Sequence, residues 1–240
     1  MVYINTNSQE ATNATTIKIL NQLHKSVMMK DKDTTRKLLF WLNTWSTDYL
    51  RNENNFNYQE LLSYKRGMVV KADFGFKVGS EQGGLHYALI IENENSKSNK
   101  TVTVIPLGSL PDNKTPEDID QKYEVFLGYS LFKEDIQKSQ STLSKKTSLI
   151  RKLSDEGKNT DKVQKDIDKL SKKIKDYQKG TVAILSQICA LSKIRIHTPK
   201  DSGDELYNFR LDNKYLDEID NKLLELYTNK ESIVKSLTSK

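Results

Sequence analysis

Cysteine, histidine and long apolar runs are all scarce in this chain of 240 residues. The single cysteine, Cys189, excludes an internal disulfide and a cysteine-rich zinc site. The three histidines, His24, His86 and His197, are scattered along the chain and offer little for a metal site. We therefore expect a protein that holds no metal and no cofactor.

Apolar stretches are too short for a membrane. No window approaches the roughly 18 uncharged apolar residues of a membrane span, and residues 1–10 have neither the basic start nor the apolar stretch of a secretory signal. Apolar residues make up 36% of the chain and charged residues 29%, which indicates a modest core with helical segments that are poorly covered. The composition predicts a soluble, cytoplasmic protein with no membrane partner.

The positive charge is concentrated in one segment. The chain has 38 basic and 32 acidic residues, a net charge of +6. Residues 133–180 carry 14 of the basic and 8 of the acidic residues, so the rest of the chain is neutral. This segment favours an anionic partner: RNA, a ribosome surface and an acidic protein all fit, while a charged helix surface kept only for solubility fits as well.

The pattern of residues divides the chain into four parts. We predict a flexible tail over 1–14, an N-terminal helical extension over 15–64, and a β domain formed by 65–132 and 180–228. Within the extension, Asp33 or Thr34 is expected to cap the second helix. Short apolar, β-branched runs with turns between them suggest a small, strongly bent antiparallel barrel or sandwich. The runs are 68–72, 87–91, 101–105 (stopped by Pro106), 124–127 and 181–185.

The fourth part, 133–179, is predicted to be a helical hairpin. Its second half repeats apolar residues at spacings of 4, 3, 4 and 3, the heptad pattern of a coiled coil. The turn falls at 154–160, and an amphipathic C-terminal helix is expected to begin near Asp212 or Asn213. The repeating apolar residues are Val163, Ile167, Leu170, Ile174 and Tyr177.

Two stretches of the β domain carry a family resemblance. Residues 65–75 (KRGMVVKADFG) and 79–91 (GSEQGGLHYALII) resemble the opening of the MazF/PemK toxin family, and 104–109 and 185–196 resemble its later strands. The resemblance implies a small antiparallel SH3-like β-barrel. Together with the helical patterns, the predicted fold is α+β: this barrel with N-terminal helices, an inserted antiparallel coiled-coil hairpin and a C-terminal helix. The resemblance also implies a homodimer with an antitoxin partner, which cleaves single-stranded RNA without a metal and leaves 2′,3′-cyclic phosphate ends.

The resemblance also points to catalytic residues, some of which differ from the family pattern. His86 stands where the family has an arginine, Gly108 stands where it has a threonine, and Ser109 follows directly. Histidine ordinarily titrates near pH 6.5, so His86 is a candidate acid, base or phosphate-binding cation. Ser109 is a candidate for the missing hydroxyl, and Glu81, in the glycine-rich loop, is a third catalytic candidate.

Four further residues are assigned to RNA binding. Lys77, Ser80 and Gln82 lie in the loop with the GSEQ-G pattern, and Arg195 is the arginine retained in the late segment, where Cys189 takes the place of another. Arg195 also has an ordinary structural interpretation as a surface arginine at a β edge, as has His86, which a backbone carbonyl could satisfy at a strand edge.

A different class of function stays open. A catalytically silent SH3-like module could bind RNA or a protein partner through the barrel groove and the hairpin. DNA binding through the basic hairpin is a third possibility. Growth arrest on induced expression separates an active toxin from a silent module, and affinity for RNA and DNA at two salt concentrations tests the third.

Overall fold

A computed structural model describes residues 3–129, 131–204 and 206–229, with the side chains of 134 and 135 left out. The described chain divides into two compact units. One contains the residues up to Phe56 together with Phe74–Gly84, and the other contains Asn57–Asp73 and the chain from Leu85 onward. Among the helices in these ranges, none has both the length and the apolar character needed to cross a membrane.

The first unit contains two helices, α1 (Gln9–Met28) and α2 (Lys32–Thr44). The Ser8 hydroxyl accepts a hydrogen bond from the Ala11 amide at 3.1 Å and caps the start of α1. The expected flexible tail over 1–14 is therefore wrong for its second half. A local cap, and not apolar content, sets where this helix begins.

The cap of α2 also differs from the expectation. The carboxylate of Asp31 accepts hydrogen bonds from the amides of Asp33 and Thr34, so neither of the two predicted residues is the cap. Hydrogen bonds from Thr34 lower the pKa of Asp31, because they favour its charged form. The helix continues as a π-helical turn, Trp45–Tyr49, and the rings of Trp41 and Trp45 stack 6.0 Å apart.

The second unit contains nine strands in its described part, all paired antiparallel. In chain order they are β1 (Tyr64–Lys65), β2 (Val69–Asp73), β3 (Leu85–Ile90), β4 (Glu94–Asn95), β5 (Thr101–Ser109), β6 (Glu124–Gly128), β7 (Thr181–Ile184), β8 (Cys189–Ser192) and β9 (Ile196–Thr198). Strands β1 and β4 form a separate pair. The other seven form one sheet in the order β6-β7-β5-β3-β2-β9, with β8 paired to β5.

The mixed α+β class is confirmed, but a closed barrel is not. The hydrogen-bonded path ends at β6 on one side and at β9 on the other, and no pairing within the described residues joins these two strands. Each predicted run overlaps a strand of this sheet, with Met68, Ile91 and Leu185 just outside the strands, and β8 and β9 are additional.

Strand β5 runs through the proline that was expected to end it. Its first half, Thr101 to Val104, pairs with β8, and its last three residues, from Leu107, pair with β7. Pro106 lies where the partner changes, so its missing N–H costs no hydrogen bond on that side. As a result, Gly108 and Ser109 lie within the strand and not in a turn after it.

Two long helices connect β6 to β7. They are α3 (Lys133–Asp155) and α4 (Asp161–Gln178), they contact each other, and they occupy the segment in which two helices are predicted. Lys146, a charged residue at an expected apolar position of the seam, donates to Asp166 at 2.7 Å. That the pair is a coiled-coil hairpin inserted in a barrel stays a prediction.

The core of the second unit includes the base of these helices. Tyr177 of α4 is buried together with Phe132, which directly precedes α3, and both belong to the same cluster as Leu89 and Ile105. The last helix, α5 (Asn213–Tyr227), begins where the sequence predicts and buries Leu216 and Ile219 in this cluster. The helical segment is therefore anchored in the core and does not simply project from it.

A group of paired polar side chains lies beside the first half of β5. Glu92 accepts hydrogen bonds from the Thr103 amide (2.8 Å) and hydroxyl (2.6 Å) and from the Asn95 side chain. The side chain of Lys193, a fully buried residue, donates to the Ser96 carbonyl at 2.7 Å. Burial alone would raise the pKa of Glu92, but its hydrogen bonds and the charge of Lys193 together lower it.

Candidate functional site

A groove of about 600 Å³ lies in the second unit at the other end of β5. We call it the His86 groove. Pairing between β3 and β5 ends at Tyr87 and Leu107, and the next residues are His86 on β3 and Gly108 on β5. Residues from β2, β3, β5, β7 and α4 line the groove. They include Lys71, His86, Tyr87, Gly108, Ser109, Phe132, Lys169, Lys172, Lys173, Asp176, Tyr177 and Thr181.

Three aromatic rings line part of this groove. The ring of Phe132 lies 4.7 Å from that of Tyr87 and stacks 4.7 Å from that of Tyr177. The hydroxyls of Tyr87 and Tyr177 share a hydrogen bond, which ties β3 to α4. Phe132 and Tyr177 are themselves buried and brace the half-buried Tyr87, so Tyr87 is the ring of this cluster that a planar group can contact.

Lysines supply the positive charge of the groove. Lys169, Lys172 and Lys173 recur at spacings of three and four residues on α4, so they lie on one face of the helix. Lys71 comes from β2, and its ammonium lies 5.7 Å from the centre of the Tyr87 ring. Four lysines thus face one carboxylate, that of Asp176, in the lining of the groove.

Most of these charges lack an acidic partner. Within the described ranges, Lys71, Lys169 and Lys172 form no ion pair, while Asp176 is within 3.8 Å of Lys179. The excess of cations gives the groove a positive potential, which attracts anionic ligands such as phosphates.

Two of the three predicted catalytic residues lie in the His86 groove. His86 is half-buried and Ser109 is exposed, and both contribute to its lining. Gly108 is the residue before Ser109 on β5, and it follows the last β3–β5 pair as His86 does on β3. A Cβ atom at Gly108 would lie 3.3 Å from the Cδ1 atom of Ile184. Because residue 108 has no side chain, Ile184 of β7 can pack closely against it. The hydroxyl that the resemblance expects at 108 is missing, and Ser109, the next residue of β5, is its candidate replacement.

The other predicted residues are not among those that line the His86 groove. Glu81, Lys77, Ser80 and Gln82 are in the loop Phe74–Gly84, which belongs to the first unit. That loop contains neither helix nor strand, as expected from its glycines. Arg195 lies in a 3-10 turn, Lys193–Arg195, between β8 and β9 and does not line the His86 groove. The roles assigned to these five residues stay predictions.

Sequence reasoning missed several lining residues. Lys71 interrupts an otherwise apolar run, and the register pairs it with Tyr87 on the neighbouring strand. The charge in that run is a local signal that could have been used. The apolar spacing of α4 predicts Tyr177 only as part of the contact between the two helices. No pattern in the sequence around Phe132 predicts its contact with Tyr87 of β3.

The described residues hold no group of three or more His, Cys, Asp or Glu side chains that could bind a metal ion. Residues 65–174 match the family of PemK-like, MazF-like toxins of type II toxin-antitoxin systems. This match covers less than half of the chain and includes His86, Ser109 and the three lysines of α4. No curated protein matches the chain.

Proposed function

We propose that this chain is the toxin of a toxin–antitoxin system and acts as an endoribonuclease on single-stranded RNA. The family match over 65–174 supports the class, since such toxins are generally RNA endoribonucleases. The observation that carries the proposal is the lining of one groove by His86, Ser109, three aromatic rings and four lysines. Cations together with aromatic rings are the groups that proteins use to hold a single strand of nucleic acid.

The proposed reaction is an internal attack that needs no metal. Neutral His86 takes the proton of a ribose 2′-hydroxyl, and the oxygen attacks the adjacent phosphorus. The bond from phosphorus to the 5′-oxygen of the next nucleotide breaks, and that oxygen receives a proton. The products are a 2′,3′-cyclic phosphate and a free 5′-hydroxyl, so every atom of the RNA is retained.

The other residues of the groove stabilise this reaction. The pentacoordinate phosphorane carries more negative charge on its oxygens than the starting phosphate, and the ammonium groups of α4 and Lys71 stabilise that charge. Ser109 donates a hydrogen bond to a phosphate oxygen. The ring of Tyr87 holds the strand in place. The imidazolium of His86, which now carries the proton of the 2′-hydroxyl, returns a proton through water to the leaving oxygen. Glu81 in the loop Phe74–Gly84 is the third proposed catalytic residue.

RNA recognition and assembly complete the proposal. Lys77, Ser80, Gln82 and Arg195 contact the strand away from the cleaved bond. The active form is a homodimer, and an antitoxin protein blocks the RNA site. Light scattering at micromolar concentration should give twice the chain mass of 27.6 kDa, and a monomer mass would contradict the dimer.

Induced expression and RNA cleavage test the proposal together. Expression should arrest growth, and purified protein should cleave a mixed pool of single-stranded RNA equally well with and without EDTA. The products should carry 2′,3′-cyclic phosphate ends. Absence of cleavage at every pH from about 5 to 9, a range that spans the ordinary titration of histidine, would contradict the proposal.

One observation favours a second candidate. Gly108 stands at the position at which the resemblance expects a threonine, and packing of Ile184 leaves little room for a side chain there. A silent module that binds RNA without cutting it would keep the lysines and rings and lose the chemistry. Tight RNA binding with no cleavage and no growth arrest would support this candidate.

A further inference from the structure

A second groove adjoins the His86 groove along α4. It has a volume of about 530 Å³, and we call it the Tyr129 groove. Residues lining it include Lys114, Tyr129, Lys175 and Lys179. Lys172 and Asp176 line both grooves, so the two meet at one row of α4.

The spacing on α4 explains how one helix serves both grooves. Lys169, Lys173 and Tyr177 recur at four residues and line the His86 groove, whereas Lys175 and Gln178 lie on the adjoining face and line the Tyr129 groove. From Lys169 to Gln178 the helix extends about 14 Å at 1.5 Å per residue. The two grooves therefore form one path that can hold several consecutive nucleotides.

The charges of the Tyr129 groove leave a positive excess. The ammonium of Lys179 forms ion pairs with two carboxylates, that of Asp112 at 3.3 Å and that of Asp176 at 3.8 Å. Lys114, Lys172 and Lys175 form no ion pair within the described ranges. Lys172 and Lys175 lie on α4, and Lys114, whose charge also acts on Asp118, comes from the chain before β6. Cations in excess of carboxylates in one groove favour the phosphates of a nucleic acid strand.

The groove also presents an anchored aromatic ring. Tyr129 is 54% exposed, and its ring packs edge-on against Phe126 at 5.1 Å. Gly180 lies beneath the pair, since a Cβ atom there would fall 2.4 Å from Cε2 of Phe126 and 3.2 Å from Cε1 of Tyr129. The glycine therefore allows the backbone to support both rings, and Tyr129 keeps an exposed face on which a base can stack.

We propose that the Tyr129 groove is a second subsite for the same single-stranded RNA, in which Tyr129 stacks on a base and Lys114 and Lys175 contact phosphates. The inference rests on the proposed RNA substrate and extends the site beyond the nucleotides at His86. The segment 133–179 then serves as a wall of the RNA site and lengthens the strand that the protein holds.

Binding of RNA that cannot be cleaved tests this subsite without depending on catalysis. The probes are fluorescent 2′-O-methyl oligoribonucleotides of about four and about twelve nucleotides, which bracket the lower range of single-strand sites. Replacing Lys114 and Lys175 by Ala in the full chain should weaken binding of the longer probe about tenfold and leave the shorter one unchanged. The same pair of changes should reduce the slope of log affinity against log salt by about 0.7 per lysine.

Matched variants control for charge and for folding. Lys162→Ala combined with Lys165→Ala also removes two positive charges but lines neither groove, so both affinities should stay as in the wild type. Tyr129→Ala should weaken binding of the longer probe, and Tyr129→Phe should restore it, because the ring and not the hydroxyl stacks. Thermal unfolding identifies any variant that fails to fold, and the lysine variants do not touch the Phe126 contact.

The outcomes separate this inference from the proposed function. A loss confined to the longer probe supports the subsite, even if the wild type cleaves no RNA and the proposed reaction fails. Equal losses for both probes, no loss for either, or equal wild-type affinity for the two lengths would overturn it.

Discussion

The two halves of β5 lie among polar side chains of opposite character. Beside the first half, Glu92 is held by several hydrogen bonds, and Lys193 is fully buried with its ammonium on the Ser96 carbonyl. Beside the second half, Ser109 lines a groove in which Lys169 and Lys172 form no ion pair within the described ranges.

The difference separates polar groups that hold the fold from those that are available to a ligand. Burying a charge costs free energy unless hydrogen bonds or an opposite charge compensate it, and both Glu92 and Lys193 are compensated by hydrogen bonds. We call Glu92, Asn95, Thr103 and Lys193 the Glu92 cluster; in it, Asn95 Oδ1 is buried without a hydrogen-bond partner among the described residues. Cations on a groove wall lose little water and need no internal partner, so they can meet an external anion. Changes at the two ends of β5 should therefore affect different properties: activity at the groove, and stability at the cluster.

The largest expected effect is on catalysis at His86. His86→Ala should lower the rate of RNA cleavage by about 10²–10⁴-fold, the usual contribution of a general acid or base, with thermal unfolding unchanged. The matched control is His24→Ala, which removes a histidine from α1 in the first unit and should leave the rate unaltered. Full activity of the His86→Ala protein would contradict the proposed mechanism.

A smaller effect is expected at Ser109. Loss of one hydrogen bond to a charged phosphate oxygen in Ser109→Ala should reduce kcat about tenfold or somewhat more. Ser109→Thr keeps the hydroxyl and should retain most of the rate. Single-turnover cleavage measures both variants, and an Ala variant as fast as the Thr variant would show that the hydroxyl has no role.

The lysines of α4 should affect binding more than chemistry. Lys169→Ala combined with Lys172→Ala should weaken RNA binding about tenfold and flatten its salt dependence, by about 0.7 in the log–log slope per lysine. Cleavage of saturating RNA should largely persist. Lys162→Ala with Lys165→Ala, on the same helix but outside both grooves, provides the control. If the affinity for RNA did not change, Lys169 and Lys172 would serve the solubility of the protein or contact a protein partner instead of RNA.

The smallest effect on activity is expected at the Glu92 cluster. The pKa of Glu92 is lowered in the folded state, so its contribution to stability is present above the unfolded pKa of about 4.3 and is lost as the pH falls through the folded value. The free energy of unfolding in urea, measured at about pH 7 and about pH 3, should fall by more in the wild type than in Glu92→Gln. RNA cleavage at neutral pH should be the same in both proteins. If Glu92→Gln lowered the rate of RNA cleavage as much as Ser109→Ala, the two ends of β5 would not differ in their effects on activity and stability.

Local patterns predict most of the secondary structure and part of the site. Apolar periodicity identifies α3, α4, α5 and five of the seven strands of the main sheet, because burial sets those spacings. It fails where a single local hydrogen bond or a change of strand partner decides the outcome, as at Ser8 for the start of α1 and at Pro106 within β5.

Prediction from the sequence is limited in a similar way for the residues that line the His86 groove. His86 and Ser109 can be found through a motif, whereas the contribution of Lys71, Phe132 and Tyr177 depends on contacts between segments far apart in the chain. The contact of α4 with the end of β3 is a property of the folded protein. No spacing within 161–178 indicates which of its lysines face the sheet.

The most direct test of the central claim is a crystal structure of the protein with a bound 2′-O-methyl oligoribonucleotide. We predict that the strand follows α4, with one phosphate in contact with His86 and Ser109 and the preceding 2′-oxygen on the side of the imidazole. RNA bound on another face of the protein, with the His86 groove left free, would contradict the account.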